Sequence, residues 1–223
     1  LIFLYLEDII NTKLFKEIGI MKSKKKIFSV FAGLLVWGIA SSCGAAAYYA
    51  TIEQPSSASE LIKSGTEFSV KPIDFGAINP KDLGYNSAEE WKTDSKPVPQ
   101  AFADAFPVLL KEANIDNKKV KIISPDERVS KGIVVDVAVK SIILKWNAFA
   151  AQPDEFLCNV TFADAATSQK LFSAIINVNS RSGNPYAQAW GMSFSNRLQQ
   201  AAYNIAWVLT KIIAQGKIDP AVY

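Results

Sequence analysis

Over Glu155–Ala163 the side chains Phe156, Cys158, Val160 and Phe162, all apolar, alternate with Leu157, Asn159, Thr161 and Ala163, which puts the two sets on opposite faces of a strand. The run Gln169–Ser180 repeats the pattern, with Phe172, Ala174, Ile176 and Val178 set against Ser173, Ile175, Asn177 and Asn179. Gly132–Trp146 is a third strand-like run; a loop containing Pro153 and a turn at Asp164-Ala165-Ala166-Thr167 separate the three, which predicts an antiparallel meander. The period then changes. Trp190, Phe194, Leu198, Ala201, Ile205, Val208 and Ile212 recur every three or four residues, predicting a helix from Tyr186 to Ala214. Asn184-Pro185 supplies a cap and first helical position, and Gly216 a stop. The helix stripe is expected to cover the apolar face of the meander, because each has an apolar side that must be buried. Cys158 lies on that face and reads as a core thiol.

The preceding stretch is less regular. Phe68 and Val70 alternate with polar neighbours in a strand over 66–73, which Pro72 confines to an edge or an end of a sheet. Residues 74–97 are rich in Pro, Gly, Asn and Asp and carry Phe75, Tyr85 and Trp91; within them Ser87-Ala88-Glu89-Glu90 resembles a capping box that opens a short helix. So long a connection points to function or mobility. Its three aromatics suit either a stacking face for a glycan or peptide or a set of pins holding the loop to the core. Phe102, Phe106, Leu109, Leu110 and Ala113 follow at helical spacing, with Pro107 expected to kink or break the helix. Val120, Ile122 and Ile123 form a short strand closed by Ser124-Pro125-Asp126. The predicted class is α+β: a two-layer sandwich whose largely antiparallel sheet, a long three-strand meander plus one or two shorter strands, is covered by a long C-terminal helix and a second, broken one.

Upstream, Met21-Lys22-Ser23-Lys24-Lys25-Lys26 is a cationic stretch, followed by residues 27–39 without a charge and then Ala40-Ser41-Ser42-Cys43. These are the basic, apolar and small-residue parts of a secretory signal, in order. Thirteen residues fall short of the roughly 20 that a helix needs to cross a bilayer, so a spanning helix is the weaker reading. The organisation expected is an upstream extension over 1–20 from a start codon placed too early, a signal over 21–42, a tether over 43–65, one α+β domain over 66–216 and a tail over 217–223. Lys16-Glu17 can be encoded by a ribosome-binding sequence just ahead of Met21. A genuine amphipathic N-terminal helix is the alternative for residues 1–20.

Charge follows this division. Residues 1–42 hold six of the 24 basic and three of the 21 acidic residues, so 18 of each remain and the net +3 belongs to the segment before Cys43. A balanced remainder gives no sign of nucleic acid as a partner.

Ala40-Ser41-Ser42-Cys43 resembles the bacterial lipobox, with Cys43 as the acylated first residue of the mature chain and Ala40 where Leu is most usual. An ordinary signal cut near Ser42 is the alternative. The resemblance implies a lipid anchor in a membrane facing the periplasm, and Gly44, where Asp would mark inner-membrane retention, implies the outer membrane. One acyl chain holds only marginally, and bacterial lipoproteins carry two or three. The order of elements, with Val160-Thr161-Phe162-Ala163-Asp164-Ala165-Ala166-Thr167 before the last strand, is similar to small periplasmic lipoprotein domains. These include the curli-secretion lipoprotein, the penicillin-binding-protein activator lipoprotein and the N-terminal domain of the Tol translocation protein. Where those place Gly after Thr, this chain has Ser168. The resemblance implies a fold and an envelope role and transfers no site residue.

The chain has no histidine, which removes Ser-His-Asp and Cys-His catalysis and the commonest zinc ligand. Gly191-Met192-Ser193-Phe194-Ser195 begins like a nucleophile elbow but ends in Ser and falls in a predicted helix. Acid pairs at Glu89-Glu90, Asp126-Glu127 and Asp154-Glu155 are the raw material of a glycosidase, yet adjacent carboxylates seldom converge on one bond. Asp136 and Lys140 share a strand face. No catalytic residue, cofactor or metal site is expected. The reading is a non-enzymatic envelope lipoprotein binding another envelope protein or peptidoglycan, through the 74–97 loop or a sheet edge. Two alternatives are a small-ligand carrier with a pocket lined by Trp146, Phe149, Trp190 and Trp207, and a histidine-free glycan hydrolase.

Overall fold

A computed structural model describes residues 47–53, 57–145, 152–181 and 193–218. Six strands form one sheet in the order β1-β6-β5-β4-β2-β3: β1 Ala47–Glu53, β2 Glu67–Val70, β3 Lys119–Ile122, β4 Ile133–Ile143, β5 Glu155–Asp164 and β6 Lys170–Asn179. The meander is present as expected, with Val137 opposite Val160 and Val160 opposite Ala174. Among the described residues four α-helices accompany it: α1 Ala58–Ser64, α2 Ala88–Ser95, α3 Val98–Glu112 and α4 Phe194–Gln215. The alternating faces read from the sequence are the buried ones: Phe156, Cys158, Val160, Phe162, Phe172, Ala174, Ile176 and Val178 are all within 1% of full burial. They join Leu198, Ala201, Ile205, Val208 and Ile212 of α4, and Phe102, Phe106 and Leu109 of α3, in one hydrophobic core. The two-layer α+β sandwich is therefore the fold.

Several expectations change. The tether over 43–65 is structured from Ala47, where β1 pairs antiparallel with β6 and widens the sheet by one edge strand. Its pairing shifts register twice, between Tyr48 and Ala50 and between Thr51 and Glu53, and so shows none of the period that marks the meander. In α1, Ala58 and Ile62 are buried in the core. β2 is internal, running parallel between β4 and β3, so Pro72 marks an end of the strand and not an edge of the sheet. The helical segment is interrupted at Lys96-Pro97, between α2 and α3, while α3 runs unbroken through Pro107. Pro107 is exposed, and its missing amide leaves the carbonyl one turn back without that helical partner. Ser193 caps α4, its hydroxyl accepting from the Asn196 amide at 3.2 Å, and the helix opens at Phe194. The start expected at Tyr186 and the cap at Asn184-Pro185 lie outside the described residues, as do residues 219–223 of the expected tail.

The turn from β5 to β6 is built on Asp164. Its Oδ1 accepts from the Ala166 amide at 3.1 Å, the Thr167 amide at 2.7 Å and the Thr167 hydroxyl at 2.8 Å. The Thr167 hydroxyl, then its amide, holds the carboxyl below the usual carboxylate range. Ser168 follows at φ 59°, the left-handed conformation that glycine enters without a steric penalty. The residue departs from the Thr-Gly pattern while the backbone keeps the glycine conformation. Ser168→Gly should raise the free energy of unfolding by about 0.5–1 kcal/mol, seen as a higher urea midpoint with an unchanged slope. An unchanged midpoint would show that the hydroxyl compensates for the strain.

Candidate functional site

The three loop aromatics come together at the N-terminal end of α4. Trp91 stands in edge contact with Phe75 and with Tyr85, centroids 5.6 Å apart in both pairs. Phe194, the first residue of α4, adds a fourth ring 5.8 Å from Tyr85 and 6.4 Å from Trp91. The sequence places them there through α2: Ser87 accepts from the Glu90 amide at 3.2 Å, and Glu90 accepts from the Asn86 amide at 2.9 Å, which starts the helix that carries Trp91. Asp94 near its end ties down both neighbours. Its carboxylate accepts from the Tyr85 hydroxyl at 2.7 Å, and its carbonyl from the Ser195 hydroxyl at 2.8 Å. Burial, reinforced by Asp94, pushes the Tyr85 phenol above its usual range, so it stays a neutral donor. The rings are half-buried, and Phe75, Trp91 and Phe194 pack against the core. This geometry suits pinning of the loop; Phe75 also borders a groove of about 380 Å³ with Lys71, Asp74, Pro125 and Asp136.

Below the ring cluster lies a polar centre that sequence reasoning did not assemble. Arg197 of α4 stacks its guanidinium 5.1 Å from the Phe194 ring and donates from Nε to Asp154 Oδ2 at 2.6 Å. Asp154 is fully buried, and its Oδ1 accepts from the Lys145 amide at 2.9 Å. Asp154 and Ser180 are joined twice: the Asp154 amide donates to the Ser180 hydroxyl, and the Ser180 amide to the Asp154 carbonyl, both at 2.9 Å. Asn204, one face along α4, donates to the carbonyls of Asn179 at 2.7 Å and Arg181 at 3.1 Å. Together these bonds close the end of the sheet where β4, β5 and β6 meet α4. Sequence singled out Asp154 only as half of an acid pair; its partner Arg197 is 43 residues away.

Each acid pair has at least one member in a structural contact. Asp154 points inward to Arg197, whereas Glu155 points outward to Lys145 at 2.5 Å. Glu90 is a helix cap. Glu127 accepts from Lys121 at 2.8 Å, and this contact, then the Ser124 amide, holds its carboxyl below the usual range. Asp136 pairs with Lys71 at 2.9 Å across the β4–β2 boundary. Burial pushes the Cys158 thiol up to about 12, which keeps it protonated and inert. Among the described residues, no three His, Cys, Asp or Glu side chains are placed to share a metal ion. Of the proposed carrier pocket, Trp146, Phe149 and Trp190 lie outside the described residues; Trp207 is half-buried under the Lys211 ammonium, 5.4 Å from its ring. A second groove, about 360 Å³, lies at the far corner between Leu61, Glu67, Lys131 and Asp164.

No family model and no curated protein matches this chain. Among solved structures it is similar to the PelC dodecamer from Paraburkholderia phytofirmans, at 13% identity and a TM-score of 0.38, over 76% of this chain and 97% of that one. A single-substitution variant of the same PelC matches at 15% identity and 0.39, over 74% and 96%. A Xanthomonas campestris protein of the DUF330 family matches at 11% identity and 0.35, over 69% and 87%. Likenesses this distant transfer no function to the chain.

Proposed function

We propose that this chain is a lipoprotein of the bacterial cell envelope, anchored through Cys43 on the outer membrane facing the periplasm, which acts by binding an envelope protein or peptidoglycan and not by catalysis. The observation that carries the reading is the placement of Cys43 directly after a basic stretch, an uncharged run and Ala40-Ser41-Ser42. The described residues are in keeping with it: no helix among them is long and apolar enough to cross a membrane, and each acid pair has a structural use. Two surfaces offer themselves for binding. One is the 74–97 loop with Phe75, Tyr85 and Trp91; the other is a sheet edge, β1 or β3, each hydrogen-bonded on one side only within the sheet.

Cys43→Ala should abolish incorporation of labelled palmitate and shift the protein from the membrane to the soluble fraction. Retained labelling would sink the anchor. For the binding role, crosslinking in intact cells should capture one envelope protein or peptidoglycan above background from the wild type. If no such species is captured, the binding reading is abandoned while the anchor stands.

A further inference from the structure

One end of the sheet combines features that the anchor alone does not explain. Ala47 at the start of β1 is level with Asn177, Asn177 with Leu157, and Leu157 with Ser141, so the start of β1, the end of β6, the start of β5 and the end of β4 share this end. Just beyond that level, Ile143 and Leu144 stand side by side, 51% and 41% exposed. Among the described residues the other exposed large apolar side chains, Leu61 and Val108, have no such neighbour in sequence. At this end Lys145 pairs with Glu155 and Arg197 with Asp154, and Arg181 follows the end of β6. The stretches of sequence that follow Lys145 and Arg181, residues 146–151 and 182–192, contain no Asp, Glu, Lys or Arg.

Three residues lie between Cys43 and Ala47, four steps of chain with a reach of at most about 14 Å, and the three strand spacings from β1 to β4 also amount to about 14 Å. We propose that this end of the sheet, led by Ile143 and Leu144, rests on the lipid surface that holds Cys43, with the β5–β6 turn pointing away from it. The inference rests on the lipidation of Cys43 proposed above. A short covalent tether makes the contact effectively intramolecular, so two exposed apolar side chains are sufficient to bias the orientation. A soluble partner at this end would leave the shortness of the tether unused; a bilayer is the one surface that the tether brings there.

The test uses the full-length lipidated protein in vesicles of phosphatidylethanolamine and phosphatidylglycerol, with an environment-sensitive fluorophore on Leu144→Cys or on Ala166→Cys. Acylation of Cys43 and burial of Cys158 leave the introduced thiol as the reactive one. Ala166 is exposed in the β5–β6 turn, roughly 30 Å away along β5. Nitroxide lipids should quench the Leu144 label several-fold more than the Ala166 label, and an Ile143→Cys label should repeat the result if Leu144→Cys folds poorly. Equal quenching at both ends, with mass spectrometry showing lipid on Cys43, would overturn the orientation and leave the anchor intact. A Leu144 label shielded from both nitroxide lipid and aqueous iodide would also overturn it, pointing to a protein neighbour. Absence of lipid on Cys43 would overturn both.

Discussion

Asp154→Ala should lower the free energy of unfolding by about 3–5 kcal/mol, among the largest losses available to a single substitution in this domain. The carboxylate is fully buried, and the Arg197 side chain it neutralises is only 11% exposed. Removing it takes away the carboxylate to which the Arg197 Nε donates, together with the acceptor of the Lys145 amide. The loss should appear as a fall in the urea midpoint with little change in slope. The cause is separable from lost packing. If loss of the Asp154–Arg197 ion pair dominates, the Asp154→Ala/Arg197→Met double variant should be more stable than Asp154→Ala, because an apolar side chain of similar size does not need the carboxylate. A double variant no more stable than the single would assign the loss to the Lys145 and Ser180 hydrogen bonds instead.

Gly216→Ala should cost about 2–5 kcal/mol, the sum of a left-handed backbone and a collision. Gly216 sits at φ 72° with its amide donating to the Ile212 carbonyl at 2.7 Å, which terminates α4. A Cβ there would lie 2.1 Å from the Ser59 carbonyl oxygen, backbone that cannot swing aside as a side chain would. Gly84 is the internal control: it has φ 85°, but nothing lies within 4 Å of the Cβ position. Gly84→Ala should therefore cost only the conformational part, about 1 kcal/mol. The difference between the two melting curves measures the close approach of α4 to α1. Equal losses would show that the α1 backbone yields.

The two glycines illustrate how much of this fold was legible. Gly216 was readable as a helix stop, since a left-handed residue after an apolar stripe is a property of a few neighbouring residues. Its contact with Ser59 was not, because Ser59 lies at the other end of the domain's sequence and no local pattern couples them. The loop aromatics divide the same way. Phe75, Tyr85 and Trp91 stood out by composition, and the capping box foretold α2, but their meeting on Phe194 depends on where α4 starts. Asp94 bonds Ser195 across 101 residues, a link that a single sequence does not disclose.

By itself the sequence determined the meander, its buried face with Cys158, the Asp164 turn, the apolar stripe of α4 and the balanced charge of everything after residue 42. Each follows from alternation, helical spacing or turn chemistry acting over a few residues. Only the tertiary structure decided that β1 completes the sheet despite its irregular register, that β2 inserts parallel between β4 and β3, and that Asp154 is buried against Arg197. These depend on hydrogen-bonding edges and counter-charges supplied by distant parts of the chain, so they are set by packing energy and not by local preference.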